Sequence, residues 1–265
     1  MNGLVEVRSR NTSTLEATHE WLHPIKNKKD HRVSKRVGVF IDGQNITIGA
    51  RQAFKGNGNM HPLLLAQALA GANKLVEVRY ATGIPDPEVD PDRAASERQR
   101  HELMTQTGVD VLERKLRYRS VWEIKDRDLP HPRGREGEVR QARVKAYNRG
   151  QEKGVDVWLA LDALCMCSKS TIDIAIIASA DRDMDMIPSY LKNLAGQEGT
   201  TVIAAKVARD EADVSNNDNY DGTILIDGEM YASTRDTFDY DQPLDDGPVS
   251  AFLDSLGRHD GTPST

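Results

Sequence analysis

Acidic side chains stand at the edges of three separate hydrophobic runs: Asp42 in V-F-I-D-G-Q-N, Asp156 in K-G-V-D-V-W-L-A-L-D, and Asp181, Asp183 and Asp185 in A-S-A-D-R-D-M-D-M-I-P. Burial of the apolar runs fixes the backbone, so the acids at their ends are held where the fold puts them. Carboxylates brought together repel one another unless a cation sits among them, and a hard divalent ion such as Mg2+ prefers oxygen ligands. The chemistry this suits is a metal site, and phosphate chemistry is its commonest use.

The elements that must carry these acids read as alternating strands and helices. Arg36 to Ile41 is a buried strand, followed by a turn at Gly43 and a short helix toward Phe54 that G-N-G-N at Gly56 to Asn59 breaks. His61 to Ala72 has Leu64, Leu65, Ala68 and Leu69 at helical spacing, and Lys74 to Ala81 is a second strand. A proline-rich loop from Gly83 to Asp92 leads into a helix over Arg93 to Thr107, then a third strand over Val109 to Tyr118. Trp122 to Gln151, rich in Arg and Gly, reads as an extended insertion with a strand near Val139 to Val144. A helix from Val155 to Met166, a strand from Ile172 to Ala178, a helix from Met184 to Leu194, a strand from Thr201 to Lys206 and a short one at Ile224 to Ile226 follow. Repeated βα units with nearly continuous apolar strands predict an α/β fold with a mainly parallel sheet covered on both faces.

In such sheets the ligand site lies beyond the carboxyl ends of the strands. Asp42 ends the first strand and Asp181 follows the strand ending at Ala178, so both belong to one edge. Asp156 opens a helix and shares a face with Leu159, Ala160 and Ala163, whereas Asp162 is turned away by about 120°; Asp156 is the better ligand, and Asp162 reads as a cap or a salt-bridge former.

These residues resemble the NYN domains, including LabA-like proteins, a branch of the PIN-like metal-dependent ribonucleases. The resemblance is carried by D-G-x-N at Asp42 to Asn45, K-G-V-D-V-x-L-A-x-D at Lys153 to Asp162 and S-x-D-x-D at Ser179 to Asp183, in order, across Arg36 to Asp227. It implies a three-layer α/β/α sandwich with Mg2+ or Mn2+ held by Asp42, Asp156, Asp181 and Asp183, and Asn45 positioning a ligand, water or phosphate. The implied reaction is hydrolysis of RNA phosphodiesters by an activated water, leaving a 5′-phosphate. This chain departs from the family at one point: Ser179 as anchor selects Asp181 and Asp183, whereas Pro188 selects Asp183 and Asp185, as though two residues were inserted. The choice between Asp181 and Asp185 as the partner of Asp183 stays open.

Other readings of the acids fit less well. The D-R-D-M-D run has Met186 where a calcium loop needs Gly, and no Glu at the twelfth position. A haloacid-dehalogenase phosphatase would place its D-x-D after the first strand, and a Toprim nuclease a Glu there. His61, His101 and His131 lack metal-ligand spacing, and Cys165 and Cys167 read as buried thiols rather than zinc ligands.

The net charge of −6 conceals a division: Arg209 to Thr265 holds 14 acidic and 3 basic residues, leaving 32 basic against 27 acidic in the remainder. A basic binding face beside an acidic tail is compatible with nucleic acid. Basic residues between Glu113 and Lys153, including Lys115, Arg117, Arg133, Arg135, Arg140, Arg143 and Lys153, interleave with Tyr118, Trp122 and Tyr147, a pattern suited to single-stranded RNA. The expected organisation is a basic leader over 1–35, a domain over 36–230 with an insertion near 122–151, and an acidic tail over 231–265. No apolar stretch approaches a membrane span, and a polar N-terminus makes the cytoplasm the default setting. A metal-dependent endoribonuclease is the first functional expectation and a non-catalytic RNA-binding or scaffold module the second. A defence or toxin-like nuclease, a homo-oligomer and a protein partner are left open.

Overall fold

A computed structural model describes residues 34–124, 144–169, 171–193, 200–209 and 219–238. The expected basic leader and acidic tail fall almost wholly outside these residues, as do Arg133, Arg135, Arg140 and Arg143.

Among these residues six strands form one sheet in the order β3-β2-β1-β6-β7-β8, and all five of its ladders are parallel. They are β1 (Arg36–Asp42), β2 (Lys74–Ile84), β3 (Asp110–Lys115), β6 (Ile174–Ala178), β7 (Thr201–Val207) and β8 (Gly222–Ile226). The helices are α1 (Gly43–Phe54), α2 (Pro62–Ala70), α3 (Pro91–Gln106), α4 (Val155–Ser168), α5 (Ile187–Asn193) and α6 (Gly228–Ser233). Successive strand residues face opposite layers. Val37, Val39 and Ile41 of β1 pack with α1 and α2, while Phe40 packs with Val155, Leu159 and Ala163 of α4. Covering both faces makes the strands nearly continuous in apolar residues and gives the three-layer α/β/α arrangement.

Strand order reverses between β1 and β6, since β2 and β3 lie on one side of β1 and β6, β7 and β8 on the other. The carboxyl ends of β1 and β6 are in register, Ile41 opposite Ala178, so the segments leaving them emerge side by side. A ligand crevice belongs at that switch point.

The expected strand over Val109 to Tyr118 is two strands. The Leu116 amide donates to the Ile84 carbonyl at 2.9 Å where the β2–β3 ladder ends, and the chain then leaves the sheet as β4 (Arg117–Ile124), paired antiparallel with β5 (Val144–Gln151). The basic insertion is therefore rooted in a two-stranded ribbon that returns directly to α4. The expected strand at Val139 to Val144 lies outside the described residues except for Val144, where β5 begins.

Folded structure also continues past residue 230. Tyr231 is buried, stacks on Phe54 at 5.0 Å between ring centroids, and its hydroxyl accepts from the Gly58 amide at 3.3 Å. Beyond it Thr234 and Asp236 are buried, and Asp236 pairs with Arg100 at 3.4 Å. Tyr231→Phe leaves a buried amide without this acceptor, so a loss of about 1 kcal/mol in unfolding free energy is expected by denaturant titration.

Candidate metal centre

The first acid sits where β1 turns into α1. Asp42 is the N-cap of α1: it accepts from the Asn45 backbone amide at 3.1 Å and the Asn45 side-chain amide at 2.6 Å. Gly43 follows because the Tyr80 ring and hydroxyl would lie 2.5 Å from a Cβ there. Asp42 is only 3% exposed, and burial pushes its pKa up, while Asn45 and Ser179 oppose the shift and the charge of Asp181 adds to it. Asn45 thus holds Asp42 through its backbone and side-chain amides.

The second group follows β6. The Ser179 hydroxyl donates to Asp42 at 3.1 Å and accepts the Asp181 amide at 3.0 Å, linking the two strand ends through one buried side chain. Asp181 is extended and caps a short 3-10 helix over Arg182–Met186, its carboxylate accepting the Asp183 amide at 2.9 Å. This turn lies between Ser179 and Pro188, where the two alignments of the acidic run diverge. It leaves Asp185 near Tyr220, whose hydroxyl donates to the Met184 carbonyl at 3.0 Å and whose pKa is raised by burial and by Asp185.

The third contribution comes from the first turn of α4. Asp156 lies at the helix N-terminus, where the helix dipole favours negative charge. One ligand oxygen each from Asp156, Asp181 and Asp183 falls within 4.8 Å of the others. Asp42 is not in this group of three; it stands behind it, connected through Ser179. Asp162 pairs with Arg79 of β2 at 3.3 Å and serves to hold α4 on the sheet.

Glu152, between β5 and α4, carried no signal in the sequence. Its carboxylate accepts the Gly83 amide at the end of β2. Burial pushes it up to about 7; the Gly83 bond opposes this, and the charges of Asp42 and Asp156 add to it. A raised carboxylate pKa means that the folded chain holds a proton that the unfolded chain releases, so stability falls as pH rises from about 4.5 to about 7. Glu152→Gln keeps an acceptor for Gly83 without the charge. With a discount for partial exposure, the metal-free variant is expected to be about 1–2 kcal/mol more stable than the parent at pH 8. Thermal unfolding should show the difference vanishing below pH 4.5.

The donor set fits a hard divalent ion: three carboxylates within mutual reach, no thiolate or imidazole among them, and like charges that a cation would relieve. Of the thiols expected to be buried, Cys167 is, with its pKa pushed up to about 11, whereas Cys165 is exposed. Among the expected nucleic-acid contacts, Lys115, Arg117 and Lys153 are exposed around the root of the ribbon.

The family model for the NYN domain matches residues 36–220. The chain belongs to the NYN domain family. That places it in the PIN-like nuclease superfamily, as the D-G-x-N, K-G-V-D and S-x-D-x-D segments implied. Among solved structures, a protein of unknown function from Vibrio parahaemolyticus matches with a TM-score of 0.47 at 18% identity, covering 76% of this chain and 98% of its own. No functionally curated protein matches. No helix among the described residues is long and apolar enough to cross a membrane.

Proposed function

We propose that this NYN domain is a metal-dependent endoribonuclease acting on single-stranded RNA. The observation that carries the reading is the convergence of Asp156, Asp181 and Asp183 at the switch point of the parallel sheet. These three would hold Mg2+ or Mn2+, which when bound supplies positive charge to the phosphate oxygens and a more acidic water for in-line attack. Asp42 fixes the segment that presents Asp181, through Ser179, and Asn45 fixes Asp42. Glu152 can hold or release a proton near neutrality at the rim. Lys115, Arg117 and Lys153, together with Arg133, Arg135, Arg140 and Arg143 of the insertion, supply the charge that draws in an RNA backbone.

The test is incubation of the purified chain with an end-labelled single-stranded RNA in Mg2+, in Mn2+ and in EDTA. Internal cleavage that requires the metal and leaves a 5′-phosphate is the expected result. Tight RNA binding without cleavage under any of these conditions would replace the enzyme with the non-catalytic RNA-binding module.

A further inference from the structure

Beside the acids, the carboxyl edge of the sheet carries a cation stacked on an exposed aromatic ring. The Arg114 guanidinium lies over the Trp158 indole, 4.9 Å from its centroid, and Nη1 donates to the Lys153 carbonyl at 3.0 Å. Gly154, at φ 76°, makes room for it: a Cβ there would come 2.3 Å from Nη1. The Arg114 side chain is thus held by a main-chain acceptor, an aromatic face and a glycine. Guanidinium donors remain for a phosphate. Trp158 remains 44% exposed although Arg114 covers part of it.

Position ties the pair to the centre. Trp158 is two residues from Asp156 on the first turn of α4 but about 200° around the helix from it, so the link to the centre runs through Arg114, which pairs with Gly83, whose amide binds Glu152. Lys115, Arg117 and Lys153, near the pair in sequence, are exposed. A held cation, a bare aromatic face and surrounding positive charge next to a phosphate-directed site suit one occupant, an unpaired nucleotide.

We propose that Arg114 and Trp158 form a nucleotide subsite flanking the acidic centre, the guanidinium meeting an RNA phosphate and an unpaired base stacking on the indole. This rests on the reading of the acids as an RNA site and adds what positions the strand there: a base that must be out of a duplex to stack.

The experiment uses the full chain carrying Asp183→Asn to prevent cleavage, and two short oligoribonucleotides of equal length, one of uridines and one abasic, titrated by fluorescence anisotropy. The uridine strand is expected to bind roughly 5- to 150-fold tighter than the abasic one. In the same background Trp158→Ala should remove that difference, Trp158→Phe should retain most of it, and Arg114→Gln should lower the salt slope by about 0.7. Equal binding of both strands before any change at Trp158 overturns the subsite, as does a Trp158→Ala chain that still prefers the uridine strand. A Trp158→Ala chain that falls from dimer to monomer with unchanged RNA affinity also overturns it, assigning the exposed Val157, Trp158 and Leu161 face to a second copy. The catalytic reading is scored separately with the chain bearing Asp183: stacking on Trp158 without metal-dependent cleavage leaves the subsite standing and removes the nuclease, and cleavage without stacking does the reverse.

Discussion

Asp183→Asn is expected to lower RNA cleavage by about 100- to 1000-fold with the fold intact. Asp183 is exposed, and its backbone amide, not its carboxylate, makes the bond to Asp181. Asparagine is nearly isosteric and breaks none of the contacts described for this residue. What changes is one charged oxygen ligand of the three that converge with Asp156 and Asp181. An ion held by fewer charges neutralises a phosphate less well, and a loss of about 3–4 kcal/mol of transition-state stabilisation corresponds to that rate change. Folded stability without metal should be unchanged or slightly higher, because one like-charge repulsion is relieved. Initial rates with labelled RNA, alongside thermal unfolding, measure both effects. Asp185→Asn provides the contrast: its charge acts on Tyr220, so cleavage should change by less than about threefold. Equal losses in the two variants would mean that the three-acid geometry does not describe the working site, and an unchanged rate in Asp183→Asn would place cleavage elsewhere.

The strands that position the acids were legible because parallel strands covered on both faces write themselves as short apolar runs. β1, β6 and β7 fall within two residues of their expected bounds, and the switch point follows once those runs are neighbours. Three features were not legible, each for a physical reason. The β4–β5 ribbon has sequences, R-Y-R-S-V-W-E-I and V-K-A-Y-N-R-G-Q, without one sustained apolar face, so nothing in the period marks where the sheet ends and the ribbon begins. Glu152 stands in the polar run R-G-Q-E-K-G, and what gives it importance is an amide 69 residues earlier, a relation that only folding creates. The choice between Asp181 and Asp185 depended on whether the chain after β6 was extended or helical. It is extended at Asp181 and then tightens into a 3-10 turn, a combination that neither the period of a strand nor that of an α-helix describes. Past residue 230, where acidic composition suggested a tail, Tyr231 is buried and its bond to Gly58 ties the segment to the domain.

Mn2+ is expected to stabilise the parent chain, by about 2.7 kcal/mol when the free ion is at 100 times its dissociation constant. In the absence of a cation, Asp156, Asp181 and Asp183 face one another within 4.8 Å, with Glu152 held up at about 7 by burial and by its neighbours Asp42 and Asp156. Carboxylate ligands must be ionised to bind, so a metal competes with protons for the same oxygens. Without metal, the raised Glu152 pKa makes the folded state lose stability between pH 4.5 and about 7. With metal, nearby positive charge favours the ionised form and cancels that loss. The stabilisation by Mn2+ should therefore widen as pH rises across this window and be smallest at pH 4.5. Thermal unfolding at pH 4.5, 6 and 8, with Mn2+ and with EDTA, measures it independently of any cleavage. The double variant Asp156→Asn, Asp183→Asn should show no Mn2+ response at any of these pH values. A response of parental size in that variant would place the ion elsewhere, and none in the parent at millimolar Mn2+ would leave the three carboxylates as an acidic surface without a metal.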